Sequence, residues 1–186
     1  MELDYLPEAT DEGHMEPNQD VIDIWKSLQK ETQYNHLFEI GLNAGHSAAI
    51  NLELFPDVKV TSLDIGRHDY TEIAGEILKK RFAGRFDYII CHSHAYHQRV
   101  RSGKYKMPSV DAVFVDGSHD WVQILSDISM AKLFGVKDVF IDDTNDLHDW
   151  SRKVHNVCKR FEELEVFTLV KHYEYSSDQQ LSHYRF

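Results

Sequence analysis

The sequence lacks the features that mark secreted and membrane proteins. It has only two cysteines, Cys91 and Cys158, which lie far apart and form neither a disulfide framework nor a zinc-binding motif. No apolar run approaches the roughly 20 residues that cross a bilayer, and no charged-then-apolar leader opens the chain. We therefore expect a cytoplasmic protein in a reducing compartment, without a membrane partner.

Positive charge is also scarce. Lysine and arginine number 20 against 31 aspartates and glutamates, which gives a formal net charge of −11. Nucleic-acid-binding proteins usually carry a basic stripe that neutralises phosphates, but here the basic residues are scattered. Their densest cluster, at 97–106, is typical of a solvated loop. Nucleic acid is therefore not an expected partner.

What is present is a regular alternation of apolar runs. Apolar residues make up 42% of the chain, enough for one globular domain. β-Rich runs predict strands at 36–42, 59–65, 85–92, 110–117 and 136–143, and helical patterns predict helices at 46–55, 70–82, 121–134 and 146–163. This alternation predicts an α/β fold with a Rossmann-like, doubly wound sheet of five parallel strands and helices on both faces.

The two ends of the chain differ from this pattern. Residues 1–17 are acidic and aperiodic, which predicts an N-terminal arm or lid, and a helical pattern starts at Asn18. Residues 165–175 and 179–186 flank a turn-like segment and alternate in polarity, which predicts a C-terminal antiparallel hairpin at the sheet edge. Residues 18–186 are therefore expected to form a single domain.

Polar residues follow every predicted strand. In parallel α/β sheets, ligands bind beyond the carboxyl ends of the strands, so these residues are the candidates for a site. They are Glu39, Gly41, Asn43 and Gly45 after the first strand, Asp64 after the second, His92 and Ser93 after the third, Asp116 and His119 after the fourth, and Asp142 and Asp143 after the fifth. Gly41 and Gly45 permit a tight turn with close ligand approach. Asp64 is placed to hold a ribose diol, with a helix N-cap as the alternative role.

Four stretches of the chain resemble a known family. FEIGLNAGHS and VTSLDIG resemble the first two motifs of class I S-adenosyl-L-methionine-dependent methyltransferases. VDAVFVDGSHDWVQILSDI and KDVFIDDT are similar to the metal-dependent O-methyltransferase branch, which includes catechol and macrolide-sugar O-methyltransferases. The resemblance spans about 36–145. It departs from the family at Asn43, which replaces the middle glycine of G-x-G-x-G, and in KLFGVKDV, where relatives often have a Pro-Gly-Gly turn.

The resemblance implies S-adenosyl-L-methionine as cofactor, and it implies a role for each strand-end residue. Glu39 would lie beneath the glycine loop near the methionine amino group, and Asp64 would hold the ribose hydroxyls. The full set of implied cofactor-binding residues is Glu39, Gly41, Asn43, Gly45, Asp64, His92, Ser93 and Asp116.

Asp116, Asp142 and Asp143 fall at the tips of two strands that are expected to be neighbours. Three carboxylates suit Mg²⁺ or Mn²⁺, and the resembling sugar methyltransferases bind such a metal with the same pattern of acids. His119 is the predicted general base, because imidazole titrates near neutral pH. The alternatives are that Asp143 or Thr144 caps the helix predicted at 146–163 and that His119 is a surface loop residue.

The predicted function is methyl transfer from S-adenosyl-L-methionine to a hydroxyl of a sugar or another vicinal-diol small molecule. A catechol-like phenol is the alternative acceptor, and a non-catalytic nucleotide- or cofactor-binding module is the alternative class. Trp121 and Trp150 are candidates for a sugar-stacking face or for helix-core packing. A sugar or glycan is the expected partner; a homo-oligomer and a fusion to other sugar-modifying domains are left open.

Overall fold

The strands of the protein form one sheet in the computed structural model, which describes residues 1–10 and 15–186. The strands are β1 His36–Ile40, β2 Lys59–Asp64, β3 Phe86–Ile90, β4 Ala112–Val115, β5 Asp138–Ile141, β6 Thr168–Glu174 and β7 Gln180–Arg185. Their spatial order is β3-β2-β1-β4-β5-β7-β6. The first five strands in this order are parallel, and β7 runs antiparallel to both β5 and β6. The predicted fold class is therefore confirmed.

Six helices in the described ranges cover the two faces of the sheet. They are α1 Gln19–Thr32, α2 His46–Leu54, α3 Asp69–Arg81, α4 Ser93–Arg101, α5 Trp121–Phe134 and α6 Asp149–Glu163. Because successive strand residues point to opposite faces, two separate apolar clusters form. Trp25 and Ile50 bring α1 and α2 into one cluster, whereas Ile128 and Val157 bring α5 and α6 into the other. The central strands β4 and β5 are buried along their whole length, as expected of parallel strands between two helical layers.

One helix was not predicted, and another begins later than predicted. The interpretation of 97–106 as a loop is wrong at its start, because α4 extends to Arg101 and buries Tyr96, His97 and Val100. The helix predicted over 146–163 begins only at Asp149, after its N-cap His148. The side chain of Asn145 accepts a hydrogen bond from the backbone N–H of Leu147, at 3.0 Å, and this local turn delays the helix.

The described part of the predicted N-terminal arm packs against the domain. Leu3 and Met15 are buried, and the Trp25 Nε1–H donates to the Met15 sulfur at 3.2 Å. Residues 11–14 of the predicted arm lie outside the described residues. Within the described ranges, no helix is long and apolar enough to cross a membrane.

Candidate active site

A cavity of about 910 Å³ opens beyond the carboxyl ends of the parallel strands. It brings together the sequence-predicted site residues with two exceptions, Glu39 and Gly45, which do not line it. The predicted residues that do line it are Gly41, Asn43, Asp64, His92, Ser93, Asp116, His119, Asp142 and Asp143. The cavity therefore lies where the topology of a parallel sheet places ligands.

The loop between β1 and α2 is held in a conformation that favours glycine. Gly41 has a φ of +103°, and a Cβ built on it would lie 1.9 Å from the backbone oxygen of Asp116. Only glycine lets the loop pack this closely against the end of β4. Asn43 also adopts a positive φ of 50°, so asparagine fills the place of the missing middle glycine without removing the turn. Gly45 is the N-cap of α2 and lies outside the cavity.

Asp64 ties this loop to the end of β2. Its Oδ2 accepts hydrogen bonds from the backbone N–H groups of Leu42 and Asn43, at 2.8 and 3.0 Å. Its Oδ1 accepts from the N–H of Gly66 at 2.7 Å. The N-cap of α3 is His68, so Asp64 does not have the alternative role of capping that helix. The carboxylate therefore fixes the loop while it also lines the cavity.

Glu39 is fully buried behind the cavity wall. Its two carboxyl oxygens accept short hydrogen bonds from the hydroxyls of Ser47 and Ser62. Burial raises the pKa of Glu39 to about 7, although both hydroxyl contacts act in the opposite direction. Ser47 lines the cavity and Glu39 does not, so Glu39 is connected to the cavity through its hydrogen bond with Ser47.

Three carboxylates converge at the tips of β4 and β5. Asp116, Asp142 and Asp143 each present an oxygen, and these oxygens all lie within 4.8 Å of one another. Burial, and then the neighbouring Asp143, raise the pKa of Asp142 well above its usual range. The N-cap of α6 is His148, so neither Asp143 nor Thr144 caps that helix. A cluster of partly buried carboxylate oxygens is the donor set that Mg²⁺ and Mn²⁺ prefer, so these residues fit such a cation.

Tyr175, which was not among the sequence-predicted site residues, contacts this cluster from the C-terminal hairpin. Its buried hydroxyl lies 2.9 and 2.8 Å from the two oxygens of Asp142, to which it donates. Tyr175 follows β6 and is far from Asp142 in sequence, so no local pattern could have indicated the contact.

His119 faces both the acidic cluster and an aromatic side chain. Its Nε2 lies 2.8 Å from Oδ2 of Asp143. Its ring centroid is 5.1 Å from that of Trp150, which in turn stacks on His148 at 5.2 Å. Trp150 lines the cavity and is 39% exposed, so core packing is not its role. Trp121 is 58% exposed, which likewise rules out core packing, but it does not line the cavity.

The opposite wall of the cavity follows β3. His92 is the N-cap of α4, and the Ser93 hydroxyl accepts a short hydrogen bond from the side chain of Gln123. Gln123 and Asp127, both on α5, also line the cavity and were missed in the sequence. Their spacing of four residues is ordinary for any helix face, so it gave no signal.

No protein-family model matches the chain, and no curated protein matches it. Solved structures do match. An O-methyltransferase from Bacillus cereus in complex with S-adenosylhomocysteine is 15% identical, with a TM-score of 0.69 over 98% of this chain and 86% of that one. The O-methyltransferase TomG from Streptomyces achromogenes, in complex with S-adenosylmethionine, is 15% identical, with a TM-score of 0.67 over 92% of this chain and 81% of that one.

A third match is an S-adenosylhomocysteine-bound methyltransferase from Podospora anserina. It is 13% identical, with a TM-score of 0.61 over 91% of this chain and 88% of that one. The chain has the class I methyltransferase fold. This confirms the fold implied by the sequence resemblance.

Proposed function

We propose that the protein is an S-adenosyl-L-methionine-dependent O-methyltransferase that uses a divalent cation. The observation that carries this proposal is the meeting of two features in one cavity. A backbone loop tied to Asp64 lies on one side, and a three-carboxylate cluster with His119 lies on the other. The solved O-methyltransferases of the same fold, two of them with bound donor or donor product, support this assignment.

The proposed cofactor site uses the glycine loop, the end of β2 and the end of β3. Gly41 and Asn43 line the part of the cavity next to α2, and Gly45 sets the start of that helix. Asp64 is the proposed ribose acceptor, because it lines the cavity and its Oδ1 accepts only one hydrogen bond, from the N–H of Gly66, which leaves a lone pair for another. Glu39 is a positioning residue in this scheme: it orients Ser47, which lines the cavity.

The N-terminal segment 1–17 is proposed to cover this site as an arm or lid. Met15 lines the cavity and is held by Trp25, which supports that role.

The proposed cation site is formed by Asp116, Asp142 and Asp143. A bound Mg²⁺ or Mn²⁺ would lower the pKa of a coordinated hydroxyl and orient it toward the methyl donor. Tyr175 holds Asp142 in place through its two contacts. Among the described residues no basic side chain bonds to Asp142, so a cation would relieve the mutual repulsion of the carboxylates.

His119 is the proposed base that removes the acceptor's proton. With a proton on Nε2, the ring donates to Asp143 at 2.8 Å and leaves Nδ1 unprotonated. Asp143 then stabilises the imidazolium that forms when Nδ1 takes the proton of the acceptor hydroxyl. Asp143 would also help to hold the cation, so one residue links the base to the proposed metal site.

The proposed acceptor is a sugar or another small molecule with vicinal hydroxyls. Trp150 offers an exposed aromatic face beside His119, against which the apolar face of a sugar ring can pack. A catechol-like phenol would also stack on Trp150. A phenol is already acidic enough for the metal alone to suffice, so strong dependence of the rate on His119 favours the sugar.

The test is turnover of S-adenosyl-L-methionine to S-adenosylhomocysteine with a panel of sugars and catechols, with and without Mg²⁺. The variant Asp142→Asn should lower kcat by roughly a hundredfold or more, because it removes one anionic ligand. Its calorimetric affinity for S-adenosylhomocysteine should stay close to that of the wild type. The matched control is Asp146→Asn, an exposed acid that does not line the cavity. Full turnover in excess EDTA would reject the metal half of the mechanism.

A further inference from the structure

A second cavity, of about 320 Å³, opens between α4, α5 and α6. None of the described residues that line it also lines the larger cavity at the strand ends. Its apolar lining comes from Ile128, Leu133 and Phe161, of which Leu133 and Phe161 are half-buried. A concave site lined by apolar side chains together with a few polar groups is typical of small-molecule sites.

The ionisable side chains that line this second cavity are all basic. His97 and Arg101 lie one turn apart on α4, and Lys132 lines the cavity from α5. None of the described lining residues is acidic, although the chain has a net charge of −11. Within the described part of the chain, neither Arg101 nor Lys132 forms an ion pair. The second cavity therefore has a positive local potential in an acidic protein.

Two of its basic residues belong to the densest basic cluster of the sequence, at 97–106. Arg101 and Lys132 each lie in the last turn of a helix, where basic residues are common because they favour the negative end of the helix dipole. That role explains each side chain separately. It does not require two helices to bring their basic side chains to one apolar cavity, so a shared anionic ligand is the better explanation.

The charge of the second cavity comes from its rim. Burial is the main reason why the pKa of His97 is lowered from its usual value, so this ring is mainly neutral at neutral pH. Arg101 and Lys132 are exposed and carry the positive charge. The charged end of a complementary ligand can therefore stay in contact with water while its apolar part lies against Leu133 and Phe161.

We propose that the second cavity binds a small amphipathic anion, an aliphatic or aromatic carboxylate that contacts Arg101 and Lys132 and packs on Leu133 and Phe161. An inorganic anion would leave the apolar lining unused, and a neutral molecule would leave both charges unused. The volume of about 320 Å³, against about 910 Å³ for the cavity at the strand ends, suits a short chain or a single ring. The proposal does not depend on methyl transfer, because the two cavities have different lining residues.

The experiment is a titration of the isotope-labelled full chain with sodium hexanoate at constant ionic strength, followed by the nuclear magnetic resonance shifts of backbone amides. The amides of 97–101 and 128–133 should shift and saturate, with a dissociation constant of roughly 1–10 mM. 1-Hexanol has the same chain without the charge, so it should bind roughly three- to twentyfold more weakly, the effect of two exposed charge contacts. Acetate has the charge without the chain and should give no saturating shift in the same range.

Two variants separate the charge contacts from the apolar contacts. Arg101→Gln/Lys132→Gln should weaken hexanoate by roughly three- to twentyfold and leave 1-hexanol unchanged. Ser129 is exposed and lines the cavity, so Ser129→Phe should fill the space and abolish binding of both compounds. The matched control Lys137→Gln/Lys153→Gln removes the same charge from exposed positions outside the cavity and should keep the wild-type affinities.

Three results would overturn the proposal. They are the absence of a saturating shift by about 50 mM hexanoate, shifts centred on the cavity at the strand ends, and equal affinity of the wild type for hexanoate and 1-hexanol. Equal weakening in the lysine control would also overturn it, because the effect would then come from net charge and not from the cavity. The wild-type comparison needs no variant, so the proposal stays testable even if Ser129→Phe fails to fold. All these outcomes leave the proposed function to be tested separately.

Discussion

Replacing Glu39 with glutamine tests whether burial controls the ionisation of this carboxyl. Glu39 is fully buried, and its oxygens accept hydrogen bonds from Ser47 and Ser62. Glutamine has nearly the same shape and does not ionise. Its amide N–H₂ group can donate to either serine hydroxyl, which rotates to accept.

The expected effect is a change in how the free energy of unfolding depends on pH. Burial raises the pKa of Glu39 from 4.5 to about 7. Between these values the folded protein keeps a proton that the unfolded chain releases, so this group makes the free energy of unfolding fall as pH rises. At about 1.4 kcal/mol per pKa unit, the total loss is roughly 3 kcal/mol, complete once the pH exceeds the folded-state pKa. Glu39→Gln does not suffer this loss.

The assay is urea unfolding of both proteins at about pH 5 and about pH 8. The free energy of unfolding of Glu39→Gln, relative to the wild type, should increase by roughly 2–3 kcal/mol between these conditions. Any constant offset from the substitution cancels in this difference. The control Glu72→Gln, an exposed position in the first turn of α3, should follow the wild-type curve. Parallel curves for Glu39→Gln and the wild type would refute the reasoning.

Three further predictions concern the loop, the hairpin and the base. Gly41→Ala should lower the free energy of unfolding by roughly 3 kcal/mol or more, because its Cβ would lie 1.9 Å from the backbone oxygen of Asp116. The control Gly84→Ala has open space around it and should lower the free energy of unfolding by about 1 kcal/mol. Equal losses in the two variants would contradict the close packing at Gly41. In EDTA, Tyr175→Phe should lower the free energy of unfolding by roughly 1.5–3 kcal/mol, because Asp142 loses its hydrogen-bond donor. In excess Mg²⁺ this loss of unfolding free energy should be smaller. The same loss in both conditions would argue against a cation at Asp142. His119→Ala should lower kcat by roughly 10²–10⁴ without changing the affinity for S-adenosylhomocysteine; an unchanged rate would remove it as the base.

The site was largely predictable where it depended on strand ends. Asp64, Asp116 and Asp142 each follow an apolar run of strand length, and parallel strands direct their carboxyl ends to one edge. Their convergence in one cavity therefore followed from local patterns and a topological rule. Because side chains alternate along β1, Glu39 lies on the face of the sheet opposite to Phe38. The position of Glu39 behind the cavity wall depends on the packing of α2, whose Ser47 lies between Glu39 and the cavity.

Other parts of the site depended on contacts between distant segments. Tyr175 reaches Asp142 only because β7 pairs with β5 and β6 pairs with β7 in a particular register. Asp127 and Gln123 of α5 lie on the same cavity wall as Ser93 because α5 packs beside the start of α4. Helix α4 itself was obscured by its basic residues, and its apolar contacts become visible only against α5.

The order of the strands, every helix except α4, the parallel sheet and the polar residues at the strand tips were predictable from the amino-acid sequence. They were predictable because side-chain periodicity and turn preferences act over a few neighbouring residues. Which oxygens are buried, which are paired and which face the cavity became evident only in the folded protein. Burial and hydrogen bonding depend on distances between segments far apart in the chain, and these exist only once the helices have packed on the sheet.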